Sequence, residues 1–224
     1  QKLYGGANRT WVKYEDIPKN LVHACIAIED KRFMEHHGVD WYTTMKACVK
    51  MFLGSGSAGG STITQQLVKN VTGNRDVTVR RKLSEMYSAL QMEKEYSKEE
   101  IMEWYLNVIA LGENCEGVQS ASQVYFGKDV SELDLAQCAS LIGITNNPSI
   151  YDPYINPEKN KERQEIILGE MLSQGYITQV QYDEAKAEEL VFVRKSADSD
   201  NGDEEYYSYF EDQVIRDVVH DLCE

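Results

Sequence analysis

A glutamate–aspartate pair early in the chain, Glu29-Asp30, has the setting expected of an acid–base site. The apolar residues just before the pair recur at helical spacing: Leu21, Val22, Cys25 and Ile26. Glu29 comes seven residues after Val22, only about 20° around the same helical face, so it ends an apolar stripe. Because partial burial disfavours a charged carboxyl group, a glutamate placed there suits a general base. The alternative is a surface pair at a frayed helix end.

Basic residues cluster between positions 69 and 82 of a chain whose net charge is −14. The cluster has five cations, Lys69, Arg75, Arg80, Arg81 and Lys82, against the single acid Asp76. This contrast predicts a small anionic ligand group, and the alternative is a solvated helix face. Glu85 follows Arg81 by four residues and Lys82 by three. That spacing fits an ordinary helical ion pair and equally a second active-site carboxylate that orients two cations.

A stretch rich in glycine and serine, residues 54–60, leads into a predicted helix that starts with Ser61-Thr62 and continues through Gln65 and Gln66 to Asn70. The first turn of such a helix offers backbone N–H groups and hydroxyls to an anion. The stretch lacks the Gly-Lys-Ser/Thr sequence of a P-loop, so it implies no nucleotide-binding fold.

Length and composition predict one domain with an added edge element. The 224 residues are 42% hydrophobic, contain no run of eighteen apolar residues and begin without a signal-peptide pattern, so we expect any anchoring segment to lie outside this chain. The acidic net charge argues against nucleic acid as a partner. The five cysteines form no C-x-x-C pair and indicate no zinc site, and Cys25 and Cys138 are expected to be buried.

The chain reads as a series of helices, with a single strand-like run at Leu190–Lys195. The first helix is predicted from Pro18 to a point before Gly38. The later ones are predicted over 42–53 (apolar), 78–95 (with Val79, Leu83, Met86 and Leu90 buried), 97–110 (with a Ser97/Glu100 capping box), 132–145 (capped by Ser131), 156–173, 178–190 and 206–224. The segment 42–53 is either a core helix or an element that touches lipid.

Five blocks of this sequence, in order, closely resemble the peptidoglycan glycosyltransferase domain of class A penicillin-binding proteins. They are Glu29-Asp30-x-x-Phe33-x-x-His36-x-Gly38, Gly59 to Asn70, Arg81-Lys82-x-x-Glu85, Glu103 to Lys128 and Leu135 to Tyr151. The resemblance covers about Asp16 to Leu190. Gln137 stands where the family usually has Glu, and we expect it to keep hydrogen bonding while losing the charge.

The resemblance implies a mostly α-helical fold, with a lysozyme-like helical lobe and a smaller mobile jaw that faces the membrane. The glycosyltransferase domain would span 1–195 with its jaw at about 42–75. Residues 196–224 would be a linker and helix leading toward a C-terminal transpeptidase domain of the full-length protein. The jaw assignment favours a membrane-touching role for the segment 42–53. The expected location is the extracytoplasmic face of the bacterial cell membrane.

The implied reaction is polymerisation of lipid II into a lipid-linked glycan, with inversion and release of undecaprenyl pyrophosphate. Glu29 would be the general base, and Glu85 the second catalytic carboxylate, positioning cations or a divalent metal (Mg²⁺ or Mn²⁺). No organic cofactor is expected. The candidate substrate-binding residues are Asp30, Phe33, His36, Ser61, Thr62, Gln65, Gln66, Lys69, Asn70, Arg81 and Lys82. The rival is a lysozyme-like muramidase, since two carboxylates flanking a sugar bond also describe a hydrolase.

Overall fold

A computed structural model of the chain describes residues 9–52, 60–73 and 78–193. Within those ranges the fold is helical, with two isolated β-bridges and no strand. None of the helices in the described part has the length and apolar composition needed to cross a membrane. The linker and tail helix predicted over 196–224, most of the glycine-rich stretch and Arg75 lie outside the described residues.

Ten α-helices are described: α1 (Lys19–Glu29), α2 (Trp41–Phe52), α3 (Ile63–Thr72), α4 (Val79–Glu95), α5 (Lys98–Val108), α6 (Val118–Phe126), α7 (Leu135–Gly143), α8 (Pro148–Tyr151), α9 (Pro157–Ser173) and α10 (Gln179–Ala187). The predicted starts of α1, α4, α9 and α10 are confirmed, as is the Ser97/Glu100 capping box before α5. The predicted end of α1, at a point before Gly38, is also confirmed. The helix stops at Glu29, and the backbone turns at once, with the N–H of Phe33 donating to the carbonyl of Asp30 (2.9 Å).

The described residues divide into two compact units, the first made of residues 9–28 and 106–193 and the second of residues 29–52, 60–73 and 78–105. In the first unit α7 packs against α9, and Cys138 and Leu141 of α7 and Ile167 of α9 are fully buried. Cys25 is also fully buried, and Cys25 and Cys138 carry thiols and do not form disulfides. Both cysteines therefore act as small apolar core residues, as predicted.

The segment predicted as a strand is not one over its described part, 190–193. It lies along α6: the N–H of Val193 donates to the carbonyl of Tyr125 (2.9 Å), and the ring of Phe192 packs on Phe126 with centroids 5.4 Å apart. Within the apolar run that predicted a strand, Phe192 therefore packs on a helix.

The predicted cap of α7 is also wrong, because Asp134 and not Ser131 precedes the helix. Asp134 accepts from the backbone N–H of Gln137 (2.8 Å), and the side chain of Gln137 accepts in return from the N–H of Asp134 (3.3 Å). Gln137 also accepts from Lys128 (3.3 Å). The amide thus keeps the hydrogen bonds of a capping box without a charge, as expected.

In the second unit α3 packs against α4, and the chain before α2 passes close to α4. Gly38 lies there with φ +86°, and a Cβ at this position would come within 2.4 Å of the carbonyl oxygen of Ala89. Only glycine fits, because the contact is with helix backbone and the conformation is left-handed.

The predicted buried stripe of α4 is wrong. Val79 and Leu83 are 78% and 61% exposed, whereas the buried face carries Glu85, Ser88, Ala89 and Met92. Gly38 approaches α4 on this buried face, at the backbone of Ala89. The helix therefore buries a carboxylate and a serine beside Ala89 and Met92, and exposes Val79 and Leu83.

The start of α2 is fixed by the buried carboxylate of Asp40, which accepts from the backbone N–H of Thr43 (3.0 Å) and from Arg32 (Nε to Oδ2, 3.0 Å). Burial alone raises the pKa of Asp40, but the hydrogen bonds from Arg32 and Thr43 outweigh burial and hold this pKa well below its ordinary value. A carboxyl group with a depressed pKa contributes stability above its unfolded pKa, and this contribution is lost as the pH falls through the folded pKa.

We therefore expect Asp40→Asn to lower the free energy of unfolding by about 2 kcal/mol at pH 7. The difference in the free energy of unfolding between wild type and variant should shrink as the pH falls below about 4, because the Asp40 carboxylate of the wild type then takes up a proton on unfolding. Urea unfolding followed by circular dichroism at pH 7 and pH 3 measures both values. Glu184→Gln, which neutralises an exposed carboxylate of α10, is the control and should change stability little at either pH.

Candidate active site

Glu29, the last residue of α1, is half-buried and is held by a glutamine of α3. The Nε2 atom of Gln66 donates to Oε2 of Glu29 (2.9 Å), and Oε1 of Gln66 accepts from the hydroxyl of Tyr105 (3.2 Å). Glu29 therefore does not sit as a loose surface carboxylate at a frayed helix end. Tyr105 is 1% exposed, and nothing in the sequence analysis marked it as part of a site.

Asp30 is buried and joins the end of α1 to the start of α3. Its Oδ2 atom accepts from the backbone N–H of Ile63 (3.0 Å) and lies 2.8 Å from Nε2 of His36. The N–H of Gln65 donates to Thr62 (3.2 Å), and Thr62 itself donates to the carbonyl of Gly38 (2.6 Å). The sequence predicted that the first turn of α3 offers its N–H groups to an anion. The N–H groups of Ile63 and Gln65 are not available for this, because the side chains of Asp30 and Thr62 accept from them.

The cations predicted to hold an anion converge on Glu85. Oε2 of Glu85 accepts from Arg81 (2.7 Å), and its Oε1 accepts from Lys82. Nζ of Lys82 also donates to Ser61 (2.8 Å) and Gln65 (3.0 Å). The side chain of Glu85 is only 5% exposed while that of Lys82 is 35% exposed, so the pairs are more than a solvated helix face. Two cations against one carboxylate leave this cluster with a formal charge of +1.

Helix α3 connects the two parts of the site, since Gln66 binds Glu29 and the preceding residue, Gln65, binds Lys82. Nε2 of Gln65 is buried without a hydrogen-bond partner. Lys69 and Asn70 are exposed, and Lys69 lies four residues after Gln65, hence on the same face one turn further along α3.

The second unit also contains a buried ionic network that no local sequence pattern predicted. Glu93 of α4, 2% exposed in its side chain, accepts from Lys98 and from the hydroxyl of Thr64, and its Oε1 atom is 4.0 Å from Nδ1 of His36. Nζ of Lys98 also lies 4.3 Å from the centroid of Phe33. Burial lowers the pKa of Lys98 and the hydrogen bond with Glu93 opposes that effect. Phe33 and His36 therefore have a packing and positioning role in this unit.

The family model described as transglycosylase matches residues 1–172 of the chain. The chain belongs to the transglycosylase family. It is 39% identical to penicillin-binding protein 1A of Clostridium botulinum strain Hall over 235 aligned residues, which cover 99% of this chain and 28% of that protein. It is 45% identical to penicillin-binding protein 1F of Bacillus subtilis over 172 residues, which cover 76% and 24%.

A crystal structure of penicillin-binding protein 1A from Haemophilus influenzae is similar to this transglycosylase with a TM-score of 0.52 and 25% identity, over 85% of this chain and 19% of that one. The predicted family, the transglycosylase class of enzyme and the mostly helical fold are confirmed. The transglycosylase spans about a quarter of the length of the relatives it matches. The lobe, jaw and linker boundaries stay predictions.

The described part of the transglycosylase contains no group of three or more His, Cys, Asp or Glu side chains placed to hold a metal ion. Glu85, the predicted ligand, accepts from a cation at each of its oxygens. These residues do not fit a divalent cation as they stand, since Mg²⁺ and Mn²⁺ need carboxylate oxygens that are not already paired with cations. The predicted Mg²⁺ or Mn²⁺ stays a prediction.

Glu93→Gln should destabilise the transglycosylase by about 3 kcal/mol, because it leaves the mostly buried ammonium of Lys98 without its charged partner. Urea unfolding at pH 7 gives the value. Glu165→Gln is the matched control, since it breaks a Glu–Lys pair with Lys186 whose side chains are 33% and 45% exposed, and should cost less than 1 kcal/mol. Equal losses in the two variants would contradict a special contribution from the buried network.

Proposed function

We propose that this domain is a peptidoglycan glycosyltransferase that polymerises lipid II into a lipid-linked glycan and releases undecaprenyl pyrophosphate. The observation that carries the proposal is the joining of a half-buried carboxylate, Glu29, and a positive cluster, Lys82 and Arg81 around Glu85, by consecutive residues of α3. A base and an anion-binding cluster held in one unit match a reaction between a sugar hydroxyl and a sugar pyrophosphate.

In the proposed reaction Glu29 accepts the proton of the acceptor's 4-hydroxyl as that oxygen attacks the anomeric carbon of the donor. The new glycosidic bond forms with inversion while the bond from the anomeric carbon to the pyrophosphate oxygen breaks, and the electron pair leaves with the pyrophosphate. Negative charge develops on that leaving group. Lys82 and Arg81, and Lys69 one turn along α3, are the candidate cations for it.

Glu85 then has a positioning function in the proposal. Its carboxylate holds two side chains that would otherwise repel each other, and Ser61 and Gln65 hold Lys82 from the other side. Preorganised cations lower the barrier without reorganising during the reaction. Thr62 supports this arrangement from the cap of α3.

A lysozyme-like muramidase is the rival, because the fold family and two carboxylates suit hydrolysis too. The cluster argues against it. Hydrolysis of a glycan has no pyrophosphate to neutralise, whereas the pairing of Glu85 with both cations occupies the carboxylate that a hydrolase would use as its second catalytic group.

A membrane surface is the proposed environment of α2. Large apolar side chains on this helix are more than half exposed: Trp41, Tyr42, Met45 and Val49. Their spacing places Met45 and Val49 on one face, beside Lys46 and Lys50, and α2 has no acidic residue. Exposed apolar area of this kind supports contact with lipid. The extracytoplasmic location, the anchor and a C-terminal transpeptidase domain in the full-length protein belong to the same proposal.

Glu29→Gln should lower the rate of glycan formation at least a hundredfold, because the amide cannot accept the acceptor's proton. Incubation with labelled lipid II, followed by gel separation of the products, measures glycan formation. A parallel incubation with preformed glycan tests the rival. Cleavage of that glycan by wild type, without polymer from lipid II, would establish the hydrolase in place of the transferase.

Replacing both Met45 and Val49 by glutamate should reduce binding to phosphatidylcholine vesicles about tenfold or more, since two charges enter the apolar face of α2. Cosedimentation measures binding. Val180→Glu of α10, which charges a 64% exposed apolar residue in the other unit, is the control and should leave vesicle binding unchanged. Equal binding by all variants would contradict the assignment of α2 to the membrane.

A further inference from the structure

We propose that Tyr105 is a positioning residue for the general base and acts on Glu29 through the amide of Gln66. The inference rests on the proposed function of Glu29. Gln66, which the sequence resemblance assigned to substrate binding, then has the role of holding the base. The three residues form one chain of hydrogen bonds, from the Tyr105 hydroxyl to Oε1 of Gln66 (3.2 Å) and from Nε2 of Gln66 to Oε2 of Glu29 (2.9 Å).

The direction of this chain follows from what each group can do. An ionised carboxylate only accepts hydrogen bonds, so Glu29 requires the NH₂ side of the Gln66 amide. The carbonyl side of the amide then faces Tyr105, whose hydroxyl must donate. A phenylalanine at 105 would leave the amide carbonyl without this donor. The amide would then be less strongly held in the orientation that serves Glu29.

Both supporting groups stand on ordered helices. Gln66 lies in the first turn of α3, where its N–H donates to the carbonyl of the cap residue Thr62 (2.9 Å), and Tyr105 is 1% exposed on α5. The last torsion of a glutamate side chain has a broad energy minimum, so a carboxylate turns easily unless a partner holds it. Gln66 holds one oxygen of Glu29, and Tyr105 holds Gln66. The lone pairs of the base thereby keep a fixed direction for proton transfer, on which the rate depends steeply.

The test compares wild type, Tyr105→Phe and the control Tyr125→Phe with labelled lipid II at pH 7. Tyr125 is fully buried and its hydroxyl donates to the carbonyl of Leu111 (2.9 Å) in the other unit, so the control removes the same kind of group from a different unit. For Tyr105→Phe we expect kcat to fall about tenfold and KM to stay within twofold. The control should change the melting temperature alone.

Gln66→Asn provides a second variant, because its shorter side chain removes both contacts and leaves the Tyr105 ring in place. It should reproduce the lower kcat at an unchanged KM. Adding Tyr105→Phe to Gln66→Asn should change kcat less than twofold, since coupled residues are not additive. A full tenfold effect of Tyr105→Phe in that background would overturn the inference, as would an unchanged kcat in the single variant.

The same assay separates this inference from the proposed function. Absence of glycan from wild-type enzyme overturns the proposed function. Glycan formation by wild type, together with an unchanged kcat in Tyr105→Phe, overturns the inference alone and leaves the proposed function standing.

Discussion

The hydrogen bond from the backbone N–H of Ile63 to the carboxylate of Asp30 is the constraint on which the site depends. The first N–H groups of a helix have no partners within the helix and carry partial positive charge, so a carboxylate there is stabilised. Asp30 is the residue after Glu29, and Ile63 stands three residues before Gln66. One bond therefore fixes the separation between the general base and the glutamine that holds it.

That bond is supported by charges that are costly to bury. His36, Glu93 and Lys98 lie in one network with side-chain exposures of 7%, 2% and 19%. A buried carboxylate or ammonium without a partner costs several kcal/mol, so the members of such a network hold one another in place. The consequence for function is indirect: Asp30 cannot turn away from Ile63 without disturbing His36.

Local signals predicted much of this unit. The N-terminal part of α1 and its apolar face followed from periodicity, the start of α4 from Thr78, and the candidate base from its place at the end of an apolar stripe. Tyr105 and Glu93 were missed because their contacts join residues 39 and 29 positions apart, which no local pattern encodes. The strand expected at 190–195 failed for the same reason: an apolar run indicates burial and does not identify the neighbour it packs on, here α6.

The orientation of α4, which buries Glu85 and exposes apolar residues, connects these incorrect predictions to the chemistry of the site. Gly38 approaches the backbone of α4 at Ala89 so closely that only glycine fits at position 38, and Glu85 lies on the same buried face of α4 as Ala89. Val79, Leu83 and Tyr87 are then forced outward, to exposures of 56% or more. Apolar periodicity alone assigns such residues to the core, because it assumes that every exposed helix face is in contact with water. Beside a lipid surface their exposure costs little, so the same packing that buries Glu85 between two cations also favours the membrane environment proposed here.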